Sequence, residues 1–114
     1  MSELAYIQKT REAAAAAKPV DPPGHLSKTM KQFWNDVFKL KIPQPYEIVI
    51  LRKACEAYDR ADQARRILKR DGLTYEDRFK QPRVRPEVAV ERDNRAAFAK
   101  LLSQIRLHNP YWGT

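Results

Sequence analysis

The sequence predicts an all-α fold: an antiparallel helical hairpin with a shorter helix packed across it, assembling as a ring oligomer. Three observations carry this expectation. Over residues 46–70, Ile50, Ala54, Ala57, Ala61, Ala64 and Leu68 recur at alternating steps of four and three, the spacing of a heptad seam. Before it, Met30, Phe33, Trp34, Val37 and Phe38 follow the i, i+3, i+4, i+7, i+8 pattern of a helix with one apolar face. Prolines and glycines then cut the chain between these runs, at Pro22-Pro23-Gly24, Pro43-Gln44-Pro45, Gly72 and Pro86.

Length and composition bound the rest. The chain has 114 residues, enough for one domain, and residues 1–24 read as a separate arm and linker. A packed region this small, residues 25–110, is marginally stable alone, which makes oligomerisation a natural remedy. A single cysteine, Cys55, excludes an internal disulfide framework or zinc cluster. No apolar run approaches a membrane span, and Gln8, Lys9, Arg11 and Glu12 interrupt any signal-peptide core.

In chain order, Ser2 caps a helix-prone stretch ending in the Ala13–Ala17 run, which has high intrinsic propensity but little apolar surface beyond Leu4, Tyr6 and Ile7. It is read as a loose tail rather than as an arm that orders on a partner. The proline-rich linker follows, and Ser27 caps the first core helix, which runs to about Leu40. Trp34 is read there as core rather than as a base-stacking residue.

Pro43 and Pro45 force a turn into the long helix. A helix, a short turn and a helix invite a helix-turn-helix reading, but a recognition helix needs polar residues at its start. This one opens with Tyr46, Glu47, Ile48, Val49, Ile50 and Leu51, read as core. A second stripe, Ile48, Leu51, Cys55 and Tyr58, lies on the adjacent face and is assigned to contacts within the subunit, with Trp34 and the last helix. The seam Ile50, Ala54, Ala57, Ala61, Ala64 and Leu68 is assigned to a neighbouring subunit.

Gly72 stops the long helix, and Leu73 is placed to make the hydrophobic contact that often follows such a stop. Residues 74–86 form an aromatic and basic loop with two open readings: contact with nucleic acid, or folding back as a short hairpin over the helix ends. Pro86 or Glu87 opens the last helix. Val88, Phe98, Leu101, Leu102 and Ile105 form its buried stripe, Ala89, Ala96 and Ala99 a second face, and Asn109-Pro110 its end. Residues 111–114 are an aromatic tail read as covering the bundle.

Charge supplies the functional clue. The net charge is +8, and residues 1–24 balance, so the excess belongs to the packed region. A basic excess of this kind points to a polyanion, most often nucleic acid, over a merely solubilising surface. Three groups are the candidate DNA contacts. They are Lys28, Lys31, Lys39 and Lys41 on the first core helix; Arg65, Arg66, Lys69 and Arg70 near the end of the long one; and Arg78, Lys80, Arg83 and Arg85 in the loop. No catalytic, metal or cofactor signature is found. His25 and His108 have no ligand at metal spacing, phosphate-binding glycine motifs are missing, and Cys55 sits on an apolar stripe as an inert thiol.

The order of elements over about residues 20–110 resembles the small terminase subunits of tailed bacteriophages, in particular the P27-like family. The residues that carry the resemblance are Pro22-Pro23, Leu26-Ser27, Phe33-Trp34, Leu51, Ala57-Tyr58-Asp59-Arg60, Asp71-Gly72, the basic loop with Lys80, Pro82 and Arg85-Pro86, and Leu101-Leu102 through Leu107 and Pro110. The resemblance implies a non-enzymatic ring oligomer in the host bacterial cytoplasm. It would recognise double-stranded viral DNA and hand it to the large terminase subunit, which carries the ATPase and nuclease. Two other readings stand beside it: a small dimeric helix-turn-helix regulator, and a helical adaptor that binds no DNA.

Overall fold

The computed structural model describes residues 2–6, residue 8 and residues 20–105. Its helices are α1 (Lys28–Leu40), α2 (Pro45–Asp71) and α3 (Pro86–Ser103), with a two-stranded sheet of β1 (Thr74–Glu76) and β2 (Pro82–Val84) between the last two. Residues 3–6 of the arm are also helical; the Ser2 hydroxyl accepts from the Ala5 amide at 3.1 Å. The expected ends of the tail, residues 106–114, and most of the arm lie outside the described residues.

Ser27 caps α1 by accepting from the Met30 amide at 3.2 Å, and Asp59 of α2 holds the cap in place. Its carboxylate accepts from the Ser27 amide at 2.8 Å and from the Ser27 hydroxyl at 2.6 Å. At the other end of α1, Lys41 Nζ donates to Glu47 of α2 at 2.7 Å. These two anchors lay α1 antiparallel along the first half of α2. Met30, Trp34 and Val37 then meet Leu51 and Cys55, with Leu26 and Ile105 closing the cluster. Trp34 is core, as its helical position requires, and its indole N–H donates to the Val20 carbonyl at 2.9 Å, which ties the linker to the bundle. Burying these large side chains stabilises the fold by about 1.5–3 kcal/mol each.

The helix α3 returns antiparallel to α2, and the two share the most extensive contact in the chain. The pairing is fixed by Phe98, whose ring lies 5.3 Å from Tyr58 and 5.9 Å from Phe33, and by Ile105 beside Leu51 and Cys55. From Asp59 onward α1 no longer covers α2, so the remaining dozen residues, about 18 Å of helix, form a two-helix stalk with α3.

This geometry corrects the assignment of the alanine seam. Ala54, Ala57, Ala61, Ala64 and Leu68 are buried within the single chain, and Ile50 is half-buried against the core. The physical reason is that alanine lets a second backbone come close, and the nearest backbone with a matching small and apolar face is the chain's own α3. The other stripe behaves as expected, Leu51 and Cys55 meeting Trp34 and Ile105.

Four local readings also change. The start of α2 is only partly core: Glu47 and Leu51 are buried, whereas Tyr46 and Val49 are 64% and 55% exposed. Leu73 does not pack after the helix stop and is exposed. The stripe of α3 is half-buried along its length, with no fully buried residue inside the helix. That helix ends at Ser103 rather than at Asn109, because the Ser103 hydroxyl bonds the Lys100 carbonyl at 2.6 Å and the chain turns to insert Ile105.

With the seam inside the subunit, enlarging it opposes closure of the hairpin. Ala64→Leu is expected to lower the free energy of unfolding by about 1–3 kcal/mol through overpacking. Urea denaturation followed by helix circular dichroism measures it.

Candidate nucleic-acid interface

The long helix ends where its sequence changes from seam to basic turn. Arg65, Arg66, Lys69 and Arg70 are all exposed on the last two turns of α2. Gly72 then reverses the chain with φ 86, its N–H donating to the Leu68 carbonyl at 2.8 Å. A Cβ there would meet nothing, so the position needs glycine for its backbone angle alone.

Residues 74–84 form the antiparallel hairpin that sequence reasoning held open as one of two fates for this loop. The register pairs Thr74 with Val84, Tyr75 with Arg83 and Glu76 with Pro82. Thr, Tyr and Val favour extended backbone, and Pro82 sits in a strand with a free edge, where its missing N–H costs no ladder bond.

Asp77 builds the turn. Its Oδ1 accepts from the Phe79 amide at 2.8 Å and the Gln81 amide at 3.0 Å, and its Oδ2 accepts from Arg83 Nε at 2.9 Å. The Gln81 amide bond, then Arg83, hold the Asp77 carboxyl below its ordinary range. Lys80 carries φ 59, a left-handed conformation that an L side chain adopts at a cost of about 1–2 kcal/mol. Arg85 fastens the hairpin to the helices: Nη2 donates to the Asp71 carbonyl at 3.2 Å, and the guanidinium lies 5.7 Å from the Tyr75 ring centre.

Two of the three basic groups foreseen in the sequence are therefore neighbours. Arg65, Arg66, Lys69 and Arg70 lead directly into the hairpin that carries Arg78, Lys80, Arg83 and Arg85. Residues 62–86 hold eight Lys/Arg and four Asp/Glu, which is half of the whole chain's excess of +8. Three of the four acids there are already engaged. Asp62 is shared by Arg65 at 3.3 Å and Arg66 at 2.9 Å, Asp71 pairs with Arg70 at 2.9 Å, and Asp77 with Arg83. Lys69 and Lys80 have no acidic partner among the described residues. Their charge is thus uncompensated locally and free for a polyanion.

The third group divides. Lys28 is exposed and Lys31 half-buried, both at the end of α1 that faces the stalk. Lys39 and Lys41 lie at the opposite end. Lys39 is 3.6 Å from Asp36, and Lys41 is engaged by Glu47, which is only 3% exposed. The same Glu47 accepts from the Gln44 amide at 3.0 Å, so Lys41 neutralises a buried helix-capping carboxylate. Its position is better explained by folding than by an interface. Along α2, Glu47 is roughly 36 Å from Asp71, so the four lysines do not form one patch.

Cys55 is fully buried, and burial first, then Asp59 and Glu56, push its thiol up to about 12. On the surface the Glu56 carboxylate accepts from His25 Nε2 at 2.7 Å. Among the described residues no group of three metal-ligating side chains comes together, and no helix is long and apolar enough to cross a membrane. Sequence reasoning named Phe79 only as part of the loop and passed over Asp77. An Asp at the start of a stretch between two β-prone runs is the available signal for the turn.

The family model described as the small subunit of phage terminase matches residues 28–109, which take in α1, α2, the hairpin and α3. No curated protein and no solved structure matches significantly.

The hairpin turn has its own acid limit. Asp77 is depressed in the folded state, so its contribution is complete above its ordinary value of 3.8 and is lost as pH falls through the lower folded value. The protection factors of the Phe79 and Gln81 amides are expected to fall in that window, and in Asp77→Ala at neutral pH, while the protection of α2 stays unchanged.

Proposed function

Because the chain belongs to the phage terminase small-subunit family, and therefore serves viral genome packaging, we propose that it is the non-enzymatic, DNA-binding member of the packaging machinery. In this reading it acts in the cytoplasm of the host bacterium as a homo-oligomeric ring. It binds double-stranded viral DNA and recruits and regulates the large terminase subunit, which supplies ATP hydrolysis and cleavage.

The observation that carries the DNA-binding part is the meeting of two basic groups at the hairpin end of the stalk. Arg65, Arg66, Lys69, Arg70, Arg78, Lys80, Arg83 and Arg85 lie on one rigid terminus, and their local acids are too few to balance them. Contacts of this type go chiefly to phosphates and depend steeply on salt. Lys28 and Lys31 are secondary contacts, reached from the near end of α1.

Ring formation requires a contact between different surfaces of neighbouring copies. The alanine seam is occupied within the subunit, so the contact falls to the elbow between α1 and α2, where Leu40, Ile42, Tyr46 and Val49 are each exposed. These residues lie at the end of α2 remote from the basic hairpin, which lets a ring form without masking its DNA contacts.

Two measurements test these parts separately. Lys69→Ala and Lys80→Gly are each expected to reduce the salt slope of duplex binding by about one, whereas Lys39→Ala leaves it unchanged. An unaltered slope in both Lys69→Ala and Lys80→Gly removes this end from the interface. By native mass spectrometry, the full chain is expected as a closed oligomer that Val49→Asp dissociates; a monomer or dimer at working concentration contradicts the ring.

A further inference from the structure

The tip of the hairpin pairs a large apolar side chain with a rigid mount. Phe79 is 67% exposed and stands at the apex of the turn, between Arg78 and Lys80. Its own amide is bonded to Asp77 at 2.8 Å, and the Lys80 amide is bonded to the Asp77 carbonyl at 2.9 Å. The Arg78 guanidinium carbon lies 4.8 Å from the Phe79 ring centre. The ring's cationic neighbour is thus a side chain that itself seeks an anion.

An exposed phenylalanine at a mobile tip needs no explanation, because scattered apolar residues are common on surfaces. This tip is different in two respects. The backbone at Lys80 holds a left-handed conformation that costs energy, and such conformations persist where surrounding bonds over-determine them. The whole element is also carried on a basic terminus with half of the chain's net positive charge. A protein pocket receiving Phe79 would have to accept Arg78, Lys80 and the neighbouring arginines beside it. A nucleic acid offers phosphates for those charges and base faces for the ring, so charge complementarity favours DNA as the occupant.

From this we infer that Phe79 is an apolar wedge: the hairpin presents it to the DNA minor groove, where it enters a base step while Arg78 and Lys80 hold the flanking phosphates. Apolar side chains inserted in this way unstack one step and kink the duplex, so they favour sequences or lesions where unstacking is cheap. The wedge would give the small subunit a preference for deformable DNA that phosphate contacts alone cannot provide. The inference rests on the DNA-binding reading above and adds to it a reader of DNA deformability.

The test compares the full-length protein with Phe79→Ala and Phe79→Trp on two short duplexes, one intact and one with a single-nucleotide bulge. Phe79 makes no core contact, and the turn is held by Asp77, so each variant keeps the fold. The wild type and Phe79→Trp are expected to bind the bulged duplex roughly tenfold more tightly than the intact one, in line with the worth of one base–aromatic stack. They are also expected to brighten a 2-aminopurine placed beside the bulge. Phe79→Ala should lose the preference and the fluorescence change, yet keep the salt slope on intact DNA. Equal preference in Phe79→Ala and wild type overturns the wedge while leaving phosphate binding standing. If Phe79→Ala instead abolishes association with the large subunit and leaves DNA binding unaltered, the tip docks on protein and the wedge is wrong. Failure of the wild type to bind any duplex at low salt overturns the DNA-binding reading, and the wedge falls with it.

Discussion

The close pairing of α2 with α3 along the alanine seam is the constraint on which the other features depend. A seam of Ala54, Ala57, Ala61 and Ala64, ending in Leu68, has little area per residue, so it stabilises weakly through hydrophobic burial. What it provides is proximity and straightness. Two helices in close contact form a stiff rod, and the rod extends beyond Asp59, where the start of α1 is anchored. Without it the hairpin would hang from a single unsupported helix of marginal stability.

The rod separates two chemistries. At one end is the aromatic core, in which Trp34, Leu51, Val37 and Cys55 are almost completely buried and the Lys41–Glu47 pair locks the elbow. At the other, apart from Leu68 the buried side chains of α2 are alanines, and beside them lie a concentrated positive charge and a short sheet whose strands are exposed throughout. Stability is thus concentrated away from the surface proposed for DNA. That arrangement suits a packaging component, because the binding end then bears charge and strain that a folding core would not tolerate.

Much of this was legible in the sequence, but unevenly. The helices were readable because Ser27, Pro45, Gly72 and Pro86 mark their ends by local stereochemistry that tertiary contacts did not override. The seam's periodicity was equally clear, yet its partner was not, because a small-residue stripe states that something approaches and does not state whose backbone it is. The hairpin is only one alternative in the sequence because strands of three residues carry almost no periodicity, and the determinant is one side chain, Asp77, acting on amides two and four residues away. The basic groups could be counted but not grouped. Only the fold places Arg65 to Arg70 next to Arg78 to Arg85 and assigns Lys41 to a buried glutamate. The early end of α3 at Ser103 was hidden for the same reason: burial of Ile105, a tertiary event, decides it.

In the proposed function, the hairpin end of the α2–α3 rod is the end of the molecule that faces DNA. Hydrogen–deuterium exchange of the full-length protein, with and without duplex DNA at low salt, tests it most directly. Slowed exchange concentrated in residues 62–86, with the elbow at residues 40–49 unaffected by DNA, is the result expected. Protection confined to α1 and the elbow, with residues 62–86 unchanged, would contradict it.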